Sequence, residues 1–366
     1  EYNYVFNGDL VLGLADGRLG NPDLKWESTT MTNVGLDASF FNDRLNLTLD
    51  YFYNQTEDLL LFVTIPSSLG FESILKNSGS LENRGFEVGL DGYVINNENF
   101  KWNVSGNISF LRNKLLDLGD STPFFSSSTS GHLGVDGSWV EAGNPIGVWR
   151  GYDYIGIFQS EEEIASNPSR SGDKPGYPQY RDVSGDGEIT PDDYVIIGDP
   201  NPDFTWGLNS TLNYKNFDMG IFFRGSQGFD VRNLQASEIG DGVQKINQLA
   251  NILTDSWTPS NTSASRPVID GNRDFANSYR DSDYFIEDGS FIRLQNLSLG
   301  YTFLDIQKYI SKARVFVSGQ NLFTITDYSG FDPEVNNRGQ NNLNRGDDYD
   351  AYPRSRTLTL GVNLEF

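Results

Sequence analysis

The last twelve residues, Ser355-Arg-Thr-Leu-Thr-Leu-Gly-Val-Asn-Leu-Glu-Phe366, alternate between polar and apolar side chains from Thr357 onward. Successive side chains of an extended strand point to opposite faces, so this stretch predicts a strand with one apolar and one polar face. The last strand of a soluble domain usually runs on into a few disordered residues, whereas this alternation continues to a terminal aromatic. A transmembrane β-barrel needs this pattern, because lipid covers its outer face and its interior is polar.

The same alternation recurs through the whole chain. In the segment 44–54, for example, Leu45, Leu47 and Leu49 alternate with polar neighbours. The pattern predicts about eleven strands, at 30–40, 44–54, 84–94, 100–110, 133–141, 146–158, 203–214, 217–228, 291–303, 313–325 and 355–366. Aromatic residues near the strand ends are typical of the girdles at a membrane interface.

The connections between these strands are alternately short and long. Outer-membrane barrels have short periplasmic turns and long extracellular loops, whereas a sandwich has no reason to keep its long loops at one end. The sequence therefore predicts an all-β, antiparallel transmembrane β-barrel with a periplasmic C-terminus. Turn-rich residues 1–25 are expected as an extracellular loop, and the main long extracellular loops are expected at about 159–202, 229–289 and 327–354.

The composition excludes several classes of function. The net charge of −23 argues against nucleic acid, whose phosphates require a basic surface. Cysteine is absent and His132 is the only histidine, so neither a disulfide, a thiolate nucleophile nor a zinc cluster is predicted. No Ser/His/Asp set or acid/base pair is recognisable, and Gly225-Ser-Gln-Gly228 lacks the lysine and helix of a phosphate loop. We therefore do not expect an enzyme.

The segment Asp182-Val-Ser-Gly-Asp-Gly-Glu-Ile-Thr-Pro-Asp-Asp193 has the spacing of a calcium-binding loop. Its candidate ligands, at positions 1, 3, 5, 7 and 12 of the loop, are Asp182, Ser184, Asp186, Glu188 (through its carbonyl) and Asp193. Serine at position 3 and aspartate at position 12 depart from the motif, and no amphipathic helices flank it. We expect a structural Ca²⁺ that orders an extracellular loop; the alternative is a metal-free Asp/Gly turn.

Several motifs together resemble the SusC/RagA family of TonB-dependent outer-membrane transporters. They include Asn21-Pro-Asp-Leu-Lys-Trp-Glu27, Leu81-Glu-Asn-Arg-Gly-Phe-Glu87, Ile197-Gly-Asp-Pro-Asn-Pro-Asp-Phe204, Gly289-Ser-Phe-Ile-Arg-Leu294, Gly319-Gln-Asn-Leu-Phe323 and Phe331-Asp-Pro-Glu334. The resemblance implies a 22-stranded barrel with a plugged lumen. Residues 26–366 would then be its C-terminal half, with the plug and the TonB-contacting segment outside this chain.

The resemblance also implies a function and partners. It implies TonB-driven import of large nutrients, such as oligosaccharides or peptides, across the outer membrane of a Gram-negative, Bacteroidota-like bacterium. Expected partners are the lipid bilayer, the remaining half of the barrel, TonB through the missing N-terminal part, and a SusD-like surface lipoprotein that acts as a lid.

Two sets of residues are candidates for specific roles. Aromatic and charged residues that could contact a polar ligand are Trp139, Trp149, Tyr152, Tyr154, Asp230 and Arg232. A C-terminal signal for barrel assembly is expected at Leu360, Val362, Leu364 and Phe366.

Two alternatives stay open. The first is a SusC-like barrel that does not transport and serves as a scaffold subunit of an envelope complex. The second is a soluble calcium-binding β adhesin. The orientation of the apolar strand faces tests the membrane hypothesis, because side chains such as Leu45, Val88, Leu208 and Leu360 would pack on a dry centre in a soluble protein.

Overall fold

The computed structural model describes residues 2–6, 9–13, 19–65, 70–71, 73–126, 133–240, 242, 246–271, 279–307, 310–335 and 341–366. The strands are β1 (Tyr2–Phe6), β2 (Asp9–Gly13), β3 (Ser28–Phe40), β4 (Leu45–Glu57), β5 (Leu60–Thr64), β6 (Ser73–Asn77), β7 (Ser80–Asn96), β8 (Phe100–Asp117), β9 (Phe124–Phe125), β10 (Trp139–Val140), β11 (Trp149–Gly151), β12 (Tyr154–Ile157), β13 (Pro178–Tyr180), β14 (Val195–Gly198), β15 (Phe204–Tyr214), β16 (Phe217–Gln227), β17 (Asp230–Asn233), β18 (Ile286–Asp288), β19 (Phe291–Gln307), β20 (Ile310–Thr326), β21 (Asp347–Asp348) and β22 (Thr357–Glu365). Short helices α1 (Glu161–Ser166), α2 (Leu234–Gly240) and α3 (Ile252–Asp255) lie between strands.

The largest element is a nine-stranded sheet with the order β22-β20-β19-β16-β15-β8-β7-β4-β3. Every pair in it is antiparallel, and each strand pairs with the preceding and following strand of the sheet along the chain. The strands are 9 to 18 residues long. A tilted membrane crossing needs about 9–11 residues, so each strand is long enough to cross a bilayer.

Two of the eleven predicted strands are not part of this sheet. The segments 133–141 and 146–158 form only the short strands β10, β11 and β12, which pair with β9, β14 and β13. Consecutive residues from Gly137 to Val140 are all buried, as are Gly147, Val148 and Trp149. Such burial on both faces leaves no side for lipid, so the prediction of eleven crossings is wrong and nine strands form the sheet.

The predicted rhythm of short and long connections is present in the nine-stranded sheet. The short connections are 41–44, 97–99, 215–216 and 308–309, and the long ones are 58–79, 118–203, 228–290 and 327–356. In the first turn Phe41, Asn42 and Asp43 all have positive φ, near 56–62°. Asn and Asp tolerate this left-handed conformation better than other residues with a Cβ. Since the strands alternate in direction, all long connections leave from one end of the sheet, and β22 ends at the other.

The apolar face of the sheet is open to its surroundings. Leu208 and Leu360 are 42% and 77% exposed, while Leu45 and Val88 are half-buried. Near the short-turn end, one row of paired residues on this face runs through Phe100, Tyr214, Phe217, Tyr301, Val315 and Val362. An exposed apolar face with an aromatic row at its edge is the arrangement that lipid covers. In the described residues, no helix is long and apolar enough to cross a membrane.

The opposite face carries polar groups and ion pairs. Arg314 donates from Nε and Nη2 to the carboxylate of Asp218, at 2.9 and 2.5 Å. Gly300 lies between their strands, and a Cβ there would come within 2.6 Å of both side chains. A glycine is therefore required for this pair to close across β19.

Most of the buried apolar residues lie in the long connections and not on the sheet. In one cluster, Leu133 and Val135 from connection 118–203 pack with Leu234 from 228–290 and Tyr349 from 327–356. A second cluster joins Tyr152, Tyr180 and Ile189. The long connections thus share a core and form a folded layer beyond one end of the sheet, which we call the loop layer.

The segment 1–25, expected as a loop, contains a hairpin in which β1 pairs with β2. Its sequence carries a hairpin signal, because Asn7-Gly8 separates two alternating runs. Its expected extracellular position stays a prediction.

Candidate functional site

A pocket of about 500 Å³ lies on the polar face at the end of the sheet that meets the loop layer. Its walls come from β8, β15, β16 and β19, and from the residues around 333–335, 345–346 and 354. Its lining residues are Asn107, Pro200, Pro202, Thr205, Trp206, Gly207, Phe222, Arg224, Gly225, Ser226, Phe229, Phe291, Pro333, Glu334, Val335, Arg345, Gly346 and Arg354. We call it the polar-face pocket.

The period of β16 and its register with β19 place the key side chains. Phe222, Arg224 and Ser226 share one face of β16 with Asp218, since they are separated by even numbers of residues. Arg224 lies directly opposite Arg293 in the ladder between β16 and β19. Like charges directly opposite each other destabilise a sheet, so this pair requires a nearby anion.

Two carboxylates from connection 327–356 supply that anion. Glu334 Oε2 accepts from Arg224 Nη2 and lies 2.7 Å from Arg293 Nη1. Its Oε1 is 3.4 Å from Arg354 Nη2. Asp332 Oδ1 accepts from Arg293 Nη2 at 2.6 Å. We call these five residues the arginine cluster; it ties the Phe331–Glu334 segment to the wall of the sheet.

The arginine cluster and Arg345 together leave an excess of positive charge at the pocket. Among the described residues, Arg345 is exposed and makes no ion pair. The lining of the pocket holds the three guanidinium groups of Arg224, Arg345 and Arg354 and the one carboxylate of Glu334, a local charge of +2 in a chain whose net charge is −23. This site is therefore opposite in sign to the protein as a whole.

Larger cavities are found on the apolar face, but they have a different character. One of about 700 Å³ is lined almost entirely by apolar side chains of the row near the short turns, including Leu212, Phe217, Leu299, Val317 and Leu360. Lipid would fill such a groove. The polar-face pocket is the better candidate for a polar ligand.

The six ligand candidates proposed from sequence lie in the loop layer and do not line the polar-face pocket. Trp139, Trp149, Tyr152 and Arg232 are buried, and Tyr154 and Asp230 are half-buried. The structure brings Trp149 and Arg232 together, with the guanidinium 5.3 Å from the centre of a Trp149 ring. A ligand-binding role for any of the six stays a prediction.

Arg232 connects three parts of the loop layer. It donates from Nε and Nη2 to the two carboxylate oxygens of Asp347, at 2.8 and 3.1 Å, and from Nη1 to the carbonyl of Asp136 at 2.9 Å. A bidentate ion pair of this kind fixes the relative orientation of the two side chains as well as pairing their charges. Nearby, burial raises the pKa of the Asp281 carboxyl to about 7, and the Asp136 carboxylate adds to the shift.

The other candidates have local partners. Trp139 Nε1 donates to Glu141 Oε2 at 3.0 Å. Tyr152 stacks on Tyr180 with ring centres 4.7 Å apart. The backbone N–H of Tyr154 donates to Asp283 Oδ1 at 2.9 Å. Asp230 Oδ2 accepts from the N–H of Asp199 at 2.8 Å.

The expected calcium loop is held together by its own amides. Asp182 accepts from the N–H groups of Gly185 and Gly187, at 2.6 and 3.0 Å. Asp193 is fully buried, and its two carboxylate oxygens accept from the N–H groups of Val183, Ser184 and Thr190 at 2.8–3.0 Å. Burial alone would raise the pKa of Asp193, but these amide contacts outweigh burial and hold it below the ordinary value.

Within the described part of the chain, no group of three or more His, Cys, Asp or Glu side chains is arranged to hold a metal ion. Asp182, Ser184, Asp186 and Glu188 lie on an exposed turn, and Asp186 Oδ1 accepts from the N–H of Glu188 at 2.9 Å. The carboxylates of Asp182 and Asp193 thus accept hydrogen bonds from backbone amides. Calcium binding by this loop stays a prediction.

The pocket residues were missed at the level of sequence, although β16 carries a signal for them. Phe222 and Arg224 occupy the polar phase of a strand, where Asp218 and Gly220 precede them. The phenylalanine is out of place on a polar face, and an aromatic beside an arginine there is a reasonable marker for a binding wall. The contribution of Glu334 could not be seen, because it comes from a distant connection.

Comparison with known proteins identifies the family. The profile described as "TonB dependent receptor-like, beta-barrel" matches residues 2–186. TonB-dependent receptor P3 of Formosa agariphila is 39% identical, covering 99% of this chain and 36% of the relative. TonB-dependent receptor SusC of Bacteroides thetaiotaomicron is 31% identical, covering 100% of this chain and 34% of the relative. The chain thus spans about a third of the length of these curated relatives.

The fold comparison agrees. The structure of the RagAB peptide transporter superimposes with a TM-score of 0.79 and 25% identity, covering 100% of this chain and 38% of that chain. The predicted antiparallel β-barrel fold and the resemblance to the SusC/RagA family are both confirmed. The chain belongs to the TonB-dependent receptor β-barrel family, whose members are transporters and receptors of the Gram-negative outer membrane.

Proposed function

We propose that this chain forms part of the wall of an outer-membrane importer for large polar nutrients, oligosaccharides or peptides, driven by TonB. The observation that carries the proposal is the polar-face pocket, which combines guanidinium and aromatic groups on the inner wall of a sheet whose apolar face is exposed. Transport proteins of this fold bind solutes on the polar side, and lipid covers the other side.

The relatives support the class of activity. The structural neighbour RagAB is described as a peptide transporter, and the curated relatives are TonB-dependent receptors. In this proposal the short-turn end is periplasmic and the loop layer is extracellular, in a Bacteroidota-like cell. The outward position of the loop layer would place the pocket where an arriving solute meets the wall.

A SusD-like lipoprotein lid is part of the proposal. Exposed apolar side chains cluster along connection 228–290, where Leu253 is 84% exposed and Ile246, Leu249 and Ile269 are also exposed. Isolated exposed apolar residues are common, and a contact surface is expected where several of them form one patch. This surface would meet the lid, and the pocket would lie below it.

The proposal is tested by uptake in the native bacterium. Deletion of the gene should abolish uptake of a fluorescently labelled oligosaccharide or peptide pool, and a protonophore should have the same effect, because TonB draws on the proton gradient. Complementation with Asn107→Trp should restore less uptake than wild type, since the bulky ring would fill the pocket. Lys101→Trp, on the same face of β8 but near the short turns, should restore it fully.

Two results would contradict the proposal. One is unchanged uptake of every oligosaccharide and peptide pool in the deletion strain. The other is full import by Asn107→Trp at wild-type expression. The first result would favour the scaffold role. The second would mean that the imported solute does not pass along this wall.

A further inference from the structure

We infer that the polar-face pocket selects acidic oligosaccharides, with carboxylate or sulfate groups held by Arg345 and Arg354. The inference rests on the proposed import function and names the substrate class for the same site. Three observations support it: the positive charge of the pocket, the chemistry of its lining and its position within the sheet.

The charge of the pocket is the first argument. A solute wall in a protein with a net charge of −23 would repel anions unless it carried local positive charge. Arg354 is half exposed and only 3.4 Å from Glu334, and Arg345 is exposed without an ion pair among the described residues. Planar guanidinium groups bind carboxylate and sulfate through paired N–H donors, so these two arginines are suited to an incoming acidic group.

The remaining lining suits a sugar ring. Phe222 and Phe229, both half-buried, supply apolar ring surfaces to the pocket, and Phe229 packs edge to face on the buried ring of Phe291 at 6.4 Å. Asn107, Thr205 and Ser226 supply hydrogen-bonding groups between them. Specific small-ligand sites combine apolar and aromatic surface with a few placed polar groups, and this lining offers both.

The position of the pocket excludes one common mode of peptide binding, the addition of a strand to the sheet. Extended peptides commonly bind by adding a strand to a free sheet edge, through main-chain hydrogen bonds. The pocket lies over β8, β15, β16 and β19, which are central strands paired on both sides. Recognition here must therefore use side chains, as the guanidinium and aromatic groups allow.

The test is isothermal titration calorimetry of the purified full-length protein in detergent with three probes: pentagalacturonate, neutral cellopentaose and pentaglutamate. We expect pentagalacturonate to bind at least about tenfold more tightly than cellopentaose, because charge-assisted hydrogen bonds are the strong ones. Raising the salt concentration tenfold should weaken the binding of pentagalacturonate and leave the affinity for cellopentaose unchanged. Arg345→Gln should lower the affinity for pentagalacturonate by about three- to tenfold.

Arg181→Gln is the matched control. Arg181 is also exposed, it pairs with Asp153, and it does not line the pocket, so its loss should not change pentagalacturonate affinity. Equal affinity for the acidic and neutral sugars, or tighter binding of pentaglutamate, would overturn the inference. If neutral oligosaccharides are still imported in that case, the importer proposal stands and only the selectivity fails.

Discussion

At the scale of single residues, Asp193 shows how one side chain can organise an exposed loop. Its carboxylate is fully buried although the loop around it is exposed, and it accepts hydrogen bonds from three backbone amides. Because these contacts lower its pKa, the stabilisation they provide is present above the ordinary pKa of 3.8 and is lost as the pH falls through the lower folded value.

Replacement of Asp193 by alanine should open the loop. Each amide left without a partner costs about 1–3 kcal/mol, so hydrogen exchange of a peptide covering 182–193 should accelerate markedly. Asp192→Ala is the control, since its exposed carboxylate makes no hydrogen bond or ion pair with the described residues. Unchanged exchange in Asp193→Ala would contradict the role assigned to the carboxylate.

The same peptide tests calcium binding. If the loop binds Ca²⁺, adding the ion should slow exchange over 182–193, because a ligand that binds only the ordered loop stabilises it. Asp182→Asn should remove the response to calcium. A profile that is identical with Ca²⁺ and with a chelator would show that the loop is a metal-free turn.

Asp281 predicts a dependence of stability on pH with the opposite sign. Its folded pKa of about 7 lies above the ordinary 3.8, so its protonated form stabilises the fold. This stabilisation is complete below the ordinary pKa and is lost as the pH rises through about 7. The melting temperature of Asp281→Asn, which mimics the protonated acid, should therefore fall less than that of wild type between about pH 5 and pH 8. Parallel curves for the two proteins would contradict this; Asp43→Asn in an exposed turn is the control.

At the scale of elements, the strands of the sheet could be predicted because lipid imposes a strict period of two on each of them. β3, β4 and β15 begin and end within three residues of the predicted limits. The segments around Trp139 and Trp149 could not be assigned in this way, because protein covers both of their faces and removes the alternation. Their apolar content alone is compatible with a crossing strand or with a buried loop.

The candidate site was less predictable than the sheet. Phe222 is visible as a departure from a polar face, but the sequence does not say that Glu334 lies beside Arg224, because that contact spans 110 positions. The same limit applies to Arg232 and Asp347, which are 115 positions apart. Long-range pairings of this kind depend on how the connections pack, which local patterns do not encode.

The arginine cluster predicts that connection 327–356 depends on Glu334. Glu334→Gln keeps the size of the side chain but removes the charge that separates Arg224 from Arg293, whose side chain is only 1% exposed. Arg293 keeps Asp332 as a partner, but it then lies opposite Arg224 with no carboxylate between them, so limited proteolysis within 327–356 should become faster. Glu98→Gln, in the exposed turn 97–99, should have no effect; equal proteolysis of both variants would contradict the prediction.

At the scale of the whole molecule, the two faces of the sheet should respond differently to charge. Leu360 lies near the middle of β22 on the exposed apolar face, and Thr359 is its neighbour on the polar face. A lysine facing lipid costs up to about 2–4 kcal/mol, depending on its depth, whereas one in the lumen costs little. Leu360→Lys should therefore reduce the folded fraction of full-length protein in lipid vesicles, measured by heat-modifiable gel mobility, and Thr359→Lys should not. Equal loss in both variants would count against lipid on the apolar face.

The shared core of the loop layer has a consequence for biogenesis. Leu133, Leu234 and Tyr349 come from three connections that emerge at the same end of the sheet. If the strands insert from the opposite side of the bilayer, each of these connections has to be translocated before its apolar residues can meet the others. The loop layer would then mature last, and a chain with all its strands in place would still display unburied tryptophans and tyrosines to the exterior for a time.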